Sequence, residues 1–362
     1  MENRGKKENK GKMDIKSLNL TQLTEYMEEL GEKSFRARQV YQWIHEKLVT
    51  DIDEMSNLSK ELRGKLKENC EWTSLELLEE QTSQIDGTKK FLFRLPDGNV
   101  IESVWMQYKH GNSVCISSQV GCKMGCRFCA STIGGLVRNL TPAQMLDQIY
   151  RIQALTKARV SNVVVMGTGE PLDNYDNLLA FLKILTDEHG LHISQRNITV
   201  STCGIVPNIY RLAEEKLQIT LALSLHASSQ EKRLELMPVA NKYALDEVLR
   251  ACDYYGEQTG RRMTFEYSLV GGVNDSKEDA ARLAKLVKPL HGHVNLIPVN
   301  PIKERDYVQS DRTVVVDFKN KLEKCGINVT IRREMGRDID GACGQLRKHF
   351  IDRQEEKGGG EM

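Results

Sequence analysis

From about Leu20 to Cys70, apolar residues recur at intervals of three and four, the spacing of helices with one buried face. Thr21 is placed to cap a first helix that Gly31 ends, and Ser34 to cap a second. On that second helix Phe35, Val40, Trp43, Ile44 and Leu48 form the apolar stripe. Arg36, Arg38, Gln39 and Lys47 fall largely off it, as a polyanion-contacting face or as ordinary solvated surface. A third helix runs roughly from Ser59 to Glu68. The pattern then changes to short β runs. Phe91-Leu92-Phe93 follows the turn dipeptide Asp86-Gly87, and Val100 to Met106 follows Asp97-Gly98, so this stretch is a β meander. Glu102 sits inside the second run, and an isolated acid in a strand ordinarily points to solvent.

Farther on, strand and helix alternate. Strand-like runs cover Asn162–Met166, Asn197–Ser201, Ile219–Ser224, Met263–Leu269, His293–Ile297 and Ile327–Ile331. One intervening helix opens on Thr141-Pro142, a cap followed by a first-turn proline. Others lie near Asn174–Asp187 and Ser276–Lys288. Repetition of this unit predicts an α/β fold, a partial (β/α)6 TIM-like barrel behind a small helical module and a connecting meander. The expected divisions are a disordered basic tail over 1–15, a helical accessory domain over 16–72, the meander over 73–108, the core over 109–350 and a polar tail over 351–362.

Composition narrows this picture only a little. With 51 basic and 50 acidic residues there is no global field to draw in a polyanion, so any nucleic-acid surface must be local. Nine cysteines, a charged N-terminus unlike a signal peptide and no apolar run of membrane length predict a cytoplasmic protein with free thiols.

Chemistry concentrates in Gly121-Cys122-Lys123-Met124-Gly125-Cys126-Arg127-Phe128-Cys129, a C-x₃-C-x₂-C spacing with glycines that let the loop fold back and the thiolates converge. A zinc knuckle would need a fourth ligand, and the next cysteine is Cys203. Three thiolates can instead hold three irons of one 4Fe–4S cluster, Cys122, Cys126 and Cys129 being the ligands, with the fourth iron open to S-adenosylmethionine (SAM). This loop resembles the signature of the radical SAM superfamily. Strand ends in a barrel carry the chemistry, and the unusual residues fall there: Gly169 and Glu170, Ser201, Ser224-Leu225-His226 and Asn300. Glu170 can accept from the SAM amine, and the others are candidate contacts for the rest of that molecule. Cys343, between Ala342 and Gly344, is either an accessible reactive thiol or a small buried hydrophobe.

Cys115 to Cys122, Met166 to Pro171, Ser224-Leu225-His226 and Asp338 to Leu346 together resemble the radical SAM 23S rRNA/tRNA adenine carbon-2 methyltransferases, over about Leu18 to Arg347. Thr168 stands where many members carry methionine, a departure that leaves Gly167, Gly169 and Glu170 in place. The resemblance implies a ping-pong reaction using two SAM per turnover. Cys343 is methylated by the first; a radical from the second activates that methyl, which joins carbon 2 of adenine. Glu102 then removes the carbon-2 proton, and Cys115 frees the product through a transient disulfide with Cys343. It further implies 23S rRNA and tRNA as substrates, a flavodoxin-like electron donor, docking of RNA by the N-terminal module and a monomer. The sister group that methylates carbon 8 of the same ribosomal adenosine and confers antibiotic resistance shares almost every motif; Gly169-Glu170-Pro171 and Ile133-Gly134-Gly135-Leu136 look more like the carbon-2 group. A non-catalytic RNA-binding protein with a structural metal would need neither Glu170 nor Cys343.

Overall fold

The computed structural model describes residues 12–290, 292–301, 305–339 and 344–358, without the side chains of 354–358. Helices α1 (Leu20–Glu29), α2 (Phe35–His45) and α3 (Lys60–Asn69) form the N-terminal module. The cap of α1 is Asn19, not Thr21, because Asn19 and Gln22 bond each other's backbone in a capping box. Ser34 likewise makes no cap bond, since its backbone is already helical. The buried face of α2 is Ala37, Val40, Tyr41, Ile44 and His45. Phe35 stays 52 % exposed and Trp43 only half-buried, so the three- and four-residue spacing through Val40 and Ile44 outweighs aromatic bulk. The start of the module is also more ordered than a basic tail: Met13–Asp14 pairs with Cys70–Glu71, and Ile15 is fully buried.

One ten-stranded sheet carries everything else, with its strands in strict chain order. They are β1 (Glu76–Thr82), β2 (Lys89–Arg94), β3 (Val100–Tyr108), β4 (Gly111–Cys115), β5 (Val160–Val165), β6 (Ile198–Thr202), β7 (Thr220–Ser224), β8 (Thr264–Leu269), β9 (His293–Pro298) and β10 (Asn328–Ile331). Strands β1 to β4 are antiparallel and β4 to β10 parallel. The meander is thus bonded into the barrel sheet through β4, a strand the hydropathy pattern does not single out. Acid-rich β1 also escapes that pattern. It is an edge strand, where charge is tolerated and discourages further pairing.

The helices cover this sheet as the repeat predicts. Helix α4 (Pro142–Thr156) has Thr141 as its cap in a box with Gln144, and α5 (Tyr175–Thr186) follows β5. Next come α6 (Val206–Glu214), α7 (Gln230–Leu236), α8 (Leu245–Thr259), α9 (Lys277–Val287, capped by Ser276) and α10 (Arg312–Lys324). The last helix, α11 (Gln345–Gly358), runs past residue 350, and its Leu346, Phe350 and Ile351 pack on Leu92 and Val100 of the meander. That packing removes Glu102 from water. Glu102 is 2 % exposed, so its expected place on the solvent face of β3 is wrong.

The module is fastened to α4 by a buried ion pair. Lys16 Nζ lies 2.8 Å from Asp147 Oδ1, both side chains being 3 % exposed, and also donates to the Thr73 carbonyl at 2.6 Å. Asp147 Oδ2 accepts from Leu75 N at 2.8 Å. Removing one partner strands a buried charge, so Lys16→Met should cost about 3–5 kcal/mol, measured by denaturant unfolding. A loss under about 1 kcal/mol would mean the pair is not holding the module.

Candidate active site

The cluster loop is bracketed by a short antiparallel pair, Gln119–Gly121 with Leu136–Asn139. Its crossing point needs glycine: Gly121 has φ +75°, and a Cβ there would lie 2.0 Å from the Gly135 carbonyl oxygen. Cys122 N donates to that same carbonyl at 2.9 Å, and Arg127 N donates to Leu236 O at 3.0 Å, which seats the loop on α7. Burial pushes all three thiols up, Cys122 to about 12; the Cys129 thiol adds to the rise in Cys122, and both Cys129 and Cys122 add to that in Cys126.

Among the described residues no three Cys, His, Asp or Glu side chains converge on a single metal ion. The convergence expected of the thiolates is therefore absent, as is a one-ion zinc knuckle. An iron–sulfur cube does not require convergence, because each thiolate binds its own iron. An all-thiol set on a glycine turn over an apolar floor of Leu236 and Met237 fits such a cluster, whose binding would displace the thiol protons.

The strand-end residues lie in two groups. Glu170 is buried, with Oε1 accepting from Leu172 N at 3.0 Å and Oε2 from Cys203 N at 2.7 Å. Its carboxyl is raised by burial, while those amides and the Thr202 hydroxyl oppose the rise. The expected acceptor thus already braces the backbone of Leu172 and Cys203. Gly169 packs against Gln119, whose Oε1 accepts from Glu170 N at 2.8 Å. Thr168, the departure from the family pattern, is buried with its hydroxyl 3.5 Å from Ser131 Oγ of the cluster loop. Ser201 and Ser224, on neighbouring β6 and β7, have their Oγ atoms 3.2 Å apart. His226 Nδ1 accepts from Ser268 N at 2.9 Å, which leaves its proton on Nε2. Burial lowers it to about 3, and its ring sits 4.9 Å from that of Phe128 in the cluster loop. Leu225 is a core side chain, with N bonded to Glu266 O and its carbonyl to Arg233.

The other group lines a cavity of about 440 Å³ in the mouth of the barrel. Glu102, Cys115, Cys129 and Asn300 face it, together with Phe128, Met166, Gly167 and the Arg332, Arg333 and Arg337 side chains after β10. Gly169, Glu170, Ser201, Ser224, Leu225, His226, Cys122 and Cys126 are not part of this lining. Cys343 lies outside the described residues, but Gly344, which follows it, is placed. Its N–H donates to Glu102 Oε1, and a Cβ on it would be 2.8 Å from Ser131 N, so glycine alone fits between Glu102 and the cluster loop. Burial raises the Cys115 thiol, against an opposing pull from Arg332.

Two contributors were missed from sequence. The run Arg332-Arg333-Glu334-Met335-Gly336-Arg337, directly after the last strand, is a legible signal for the basic rim. Arg233 gives no such signal. It is fully buried in α7 and donates to the carbonyls of Ser224 (3.1 Å), Leu225 (2.7 Å) and Cys203 (2.5 Å), tying β6 and β7 together beneath Cys126.

A singly wound parallel barrel with a three-thiol loop after its first parallel strand defines a radical SAM enzyme. The radical SAM superfamily model matches residues 116–284, and the model of the ribosomal RNA large subunit methyltransferase N-terminal domain matches 13–71. This chain is 65% identical over 347 residues to a probable dual-specificity RNA methyltransferase RlmN of Lachnospira eligens, covering 96% of this chain and 99% of that one. A protein of the same name from Lachnoclostridium phytofermentans is 61% identical over 342 residues, covering 94% and 96%. A solved radical SAM methyltransferase from Sphaerobacter thermophilus superposes with a TM-score of 0.87 at 41% identity, over 92% of this chain and 98% of that structure. The chain belongs to the RlmN family of dual-specificity RNA methyltransferases. Membership implies SAM and an iron–sulfur cluster. Among the described residues no helix is long and apolar enough to cross a membrane.

Proposed function

We propose that this protein methylates carbon 2 of adenine, in the peptidyl transferase centre of 23S rRNA and in the tRNA adenosine 3′ of the anticodon. One observation carries the reading: a single cavity collects Glu102, Cys115 and the end of the cluster loop, beside the chain that follows Cys343. Carbon 2 is electron-poor and has no lone pair to attack a methyl cation donor, so a carbon radical is needed.

Cys343 takes the methyl group of one SAM by displacement and later yields a hydrogen atom from it. One 4Fe–4S cluster, held by Cys122, Cys126 and Cys129, would supply the electron that cleaves a second SAM to the 5′-deoxyadenosyl radical and take one electron back when the adduct regains aromaticity. Glu170, Ser201, Ser224, His226 and Asn300 hold SAM at the strand ends, with Gly169 contributing backbone and Leu225 holding Ser224 and His226 in place between them. Glu102 accepts the carbon-2 proton once the methylene of Cys343 is bonded to the ring. Cys115 then attacks the Cys343 sulfur; the sulfur–carbon bond breaks, a disulfide forms, and the freed carbon takes a proton. A flavodoxin-like donor supplies electrons to a monomer in the cytoplasm.

RNA must present an unstacked base to the cavity. The helical module supplies a basic and aromatic flank for docking: Arg36 lies over exposed Phe35, and Lys47 Nζ is 3.6 Å from the Trp43 ring centre. Nucleoside mass spectrometry of RNA from cells lacking this protein should show 2-methyladenosine gone from both 23S rRNA and tRNA. Loss of 8-methyladenosine instead would assign the chain to the carbon-8 reaction.

A further inference from the structure

Lys90 is wholly buried, an arrangement that a lysine rarely adopts without a partner for its charge. The sheet register explains why it is there. Lys90 of β2 stands opposite Val104 of β3, which stands opposite Cys115 of β4, while Glu102 stands opposite Leu92. Residues directly opposed share a face, so Lys90, Glu102 and Cys115 all point to the cavity side, Lys90 and Glu102 as a diagonal pair. Their charged ends meet, Lys90 Nζ lying 3.2 Å from Glu102 Oε1.

The same carboxylate accepts from Gly344 N on Oε1 and from Arg347 N on Oε2 at 3.1 Å, so its plane is fixed from the sheet on one side and from the start of α11 on the other. Two backbone amides orient a carboxylate but carry no full charge. In a site 2 % exposed, a buried carboxylate is matched by cations, here the Lys90 ammonium at 3.2 Å and the Arg347 guanidinium, which also interacts with it.

We infer that Lys90 is the positioning residue of the proton-removal step: its ammonium, paired with Glu102, holds that carboxylate aimed inside the dry wall of the cavity. This rests on Glu102 being the base. In that step the C2–H bond breaks, its electron pair stays on the ring, and the proton goes to a Glu102 oxygen. Lys90 is not part of the cavity lining, so it meets neither RNA nor SAM there and acts through its neighbours, the Glu102 carboxylate at 3.2 Å and, more weakly, the Cys115 thiol, whose rise it opposes. It has no part in methyl loading of Cys343 or in SAM cleavage.

The test uses reconstituted holoenzyme and RNA carrying adenosine deuterated at carbon 2, with Glu102→Gln run in parallel. Lys90→Met should load its methyl and form the covalent RNA adduct at the normal rate, and then lose the adduct more slowly. The slowing should be smaller than the roughly hundredfold to ten-thousandfold expected for removal of a general base. The carbon-2 deuterium isotope effect on adduct decay should also rise, because proton removal becomes limiting. Lys90→Arg, which retains the charge, should restore decay and isotope effect toward wild type. A partly misfolded protein would lose amplitude without changing the isotope effect. Decay at the wild-type rate with an unchanged isotope effect overturns the inference. So does a Lys90→Met protein that never forms the adduct, or an arginine variant no better than methionine. If Glu102→Gln itself does not accumulate adduct, the assignment of the base fails. If it does and Lys90→Met does not, only the role of Lys90 fails.

Discussion

Replacing any one of Cys122, Cys126 or Cys129 by alanine should abolish both the visible absorbance of the cluster and the cleavage of SAM. The wild-type protein, reconstituted without oxygen, should hold about four irons, as expected for a 4Fe–4S centre. The effect should be complete rather than graded, because each thiolate neutralises and holds a different iron and no spare ligand is poised to take its place. Cys203 is the nearest test of that claim, since it shares the apolar floor under Cys126. Its N–H, however, is bonded to Glu170 at 2.7 Å, and burial with the adjoining carboxylate pushes its thiol far up. Cys126→Ala should therefore lose its cluster as fully as the other two. Iron content and absorbance read this directly, independent of turnover. Stoichiometric zinc in the wild-type protein, or SAM cleavage surviving loss of the cluster, would sink the assignment.

The second large effect separates the two remaining cysteines by the order of bond making. Cys343→Ala should contain no S-methylcysteine and never join to RNA. Cys115→Ala should load its methyl, attack adenine and then stall as a covalent protein–RNA species that survives denaturation until nuclease removes the RNA. The difference arises because, in the proposed reaction, Cys115 acts only on the sulfur–carbon bond that already links enzyme and base. Its attack requires the thiolate, which burial opposes and the facing Arg332 guanidinium favours. A disulfide needs Cα atoms within about 7 Å, so the two sulfurs must come together during the cycle, and a reductant must afterwards reopen the bond. Denaturing gels and peptide mass spectrometry distinguish the variants. Free turnover by Cys115→Ala, or the same RNA-free inactive protein from both, would overturn the roles.

Much of the arrangement was legible as linear chemistry. Spacing alone placed Cys122, Cys126 and Cys129 together on one loop, because three thiols within eight residues and two glycines make a local structure. Alternation of apolar runs with amphipathic helices gave the six later strands within a residue or two, because every βα unit buries the same two faces. Caps were less legible: Asn19 displaced Thr21, since the choice turns on which residue leaves the helical conformation. Strand β4 was hidden for a related reason. Its five residues, Gly111–Cys115, contain glycine, asparagine and serine, and its place in the sheet comes from neighbours on both sides rather than from its own apolar pattern.

What the sequence determined by itself is the inventory of reactive groups and the repeating unit that carries them, because thiol spacing and hydropathic period are properties of neighbouring residues. Only the tertiary structure decided what surrounds each group. Glu102 looks like a solvent-facing acid in its strand, and becomes a buried, thrice-bonded carboxylate because α11, more than two hundred residues later, covers that face of the sheet. Lys90 acquires its partner through strand register, and Arg233 through the docking of α7 across two strand ends. Burial and pairing are long-range outcomes of packing, and they turn an inventory of side chains into a site with a direction to its chemistry.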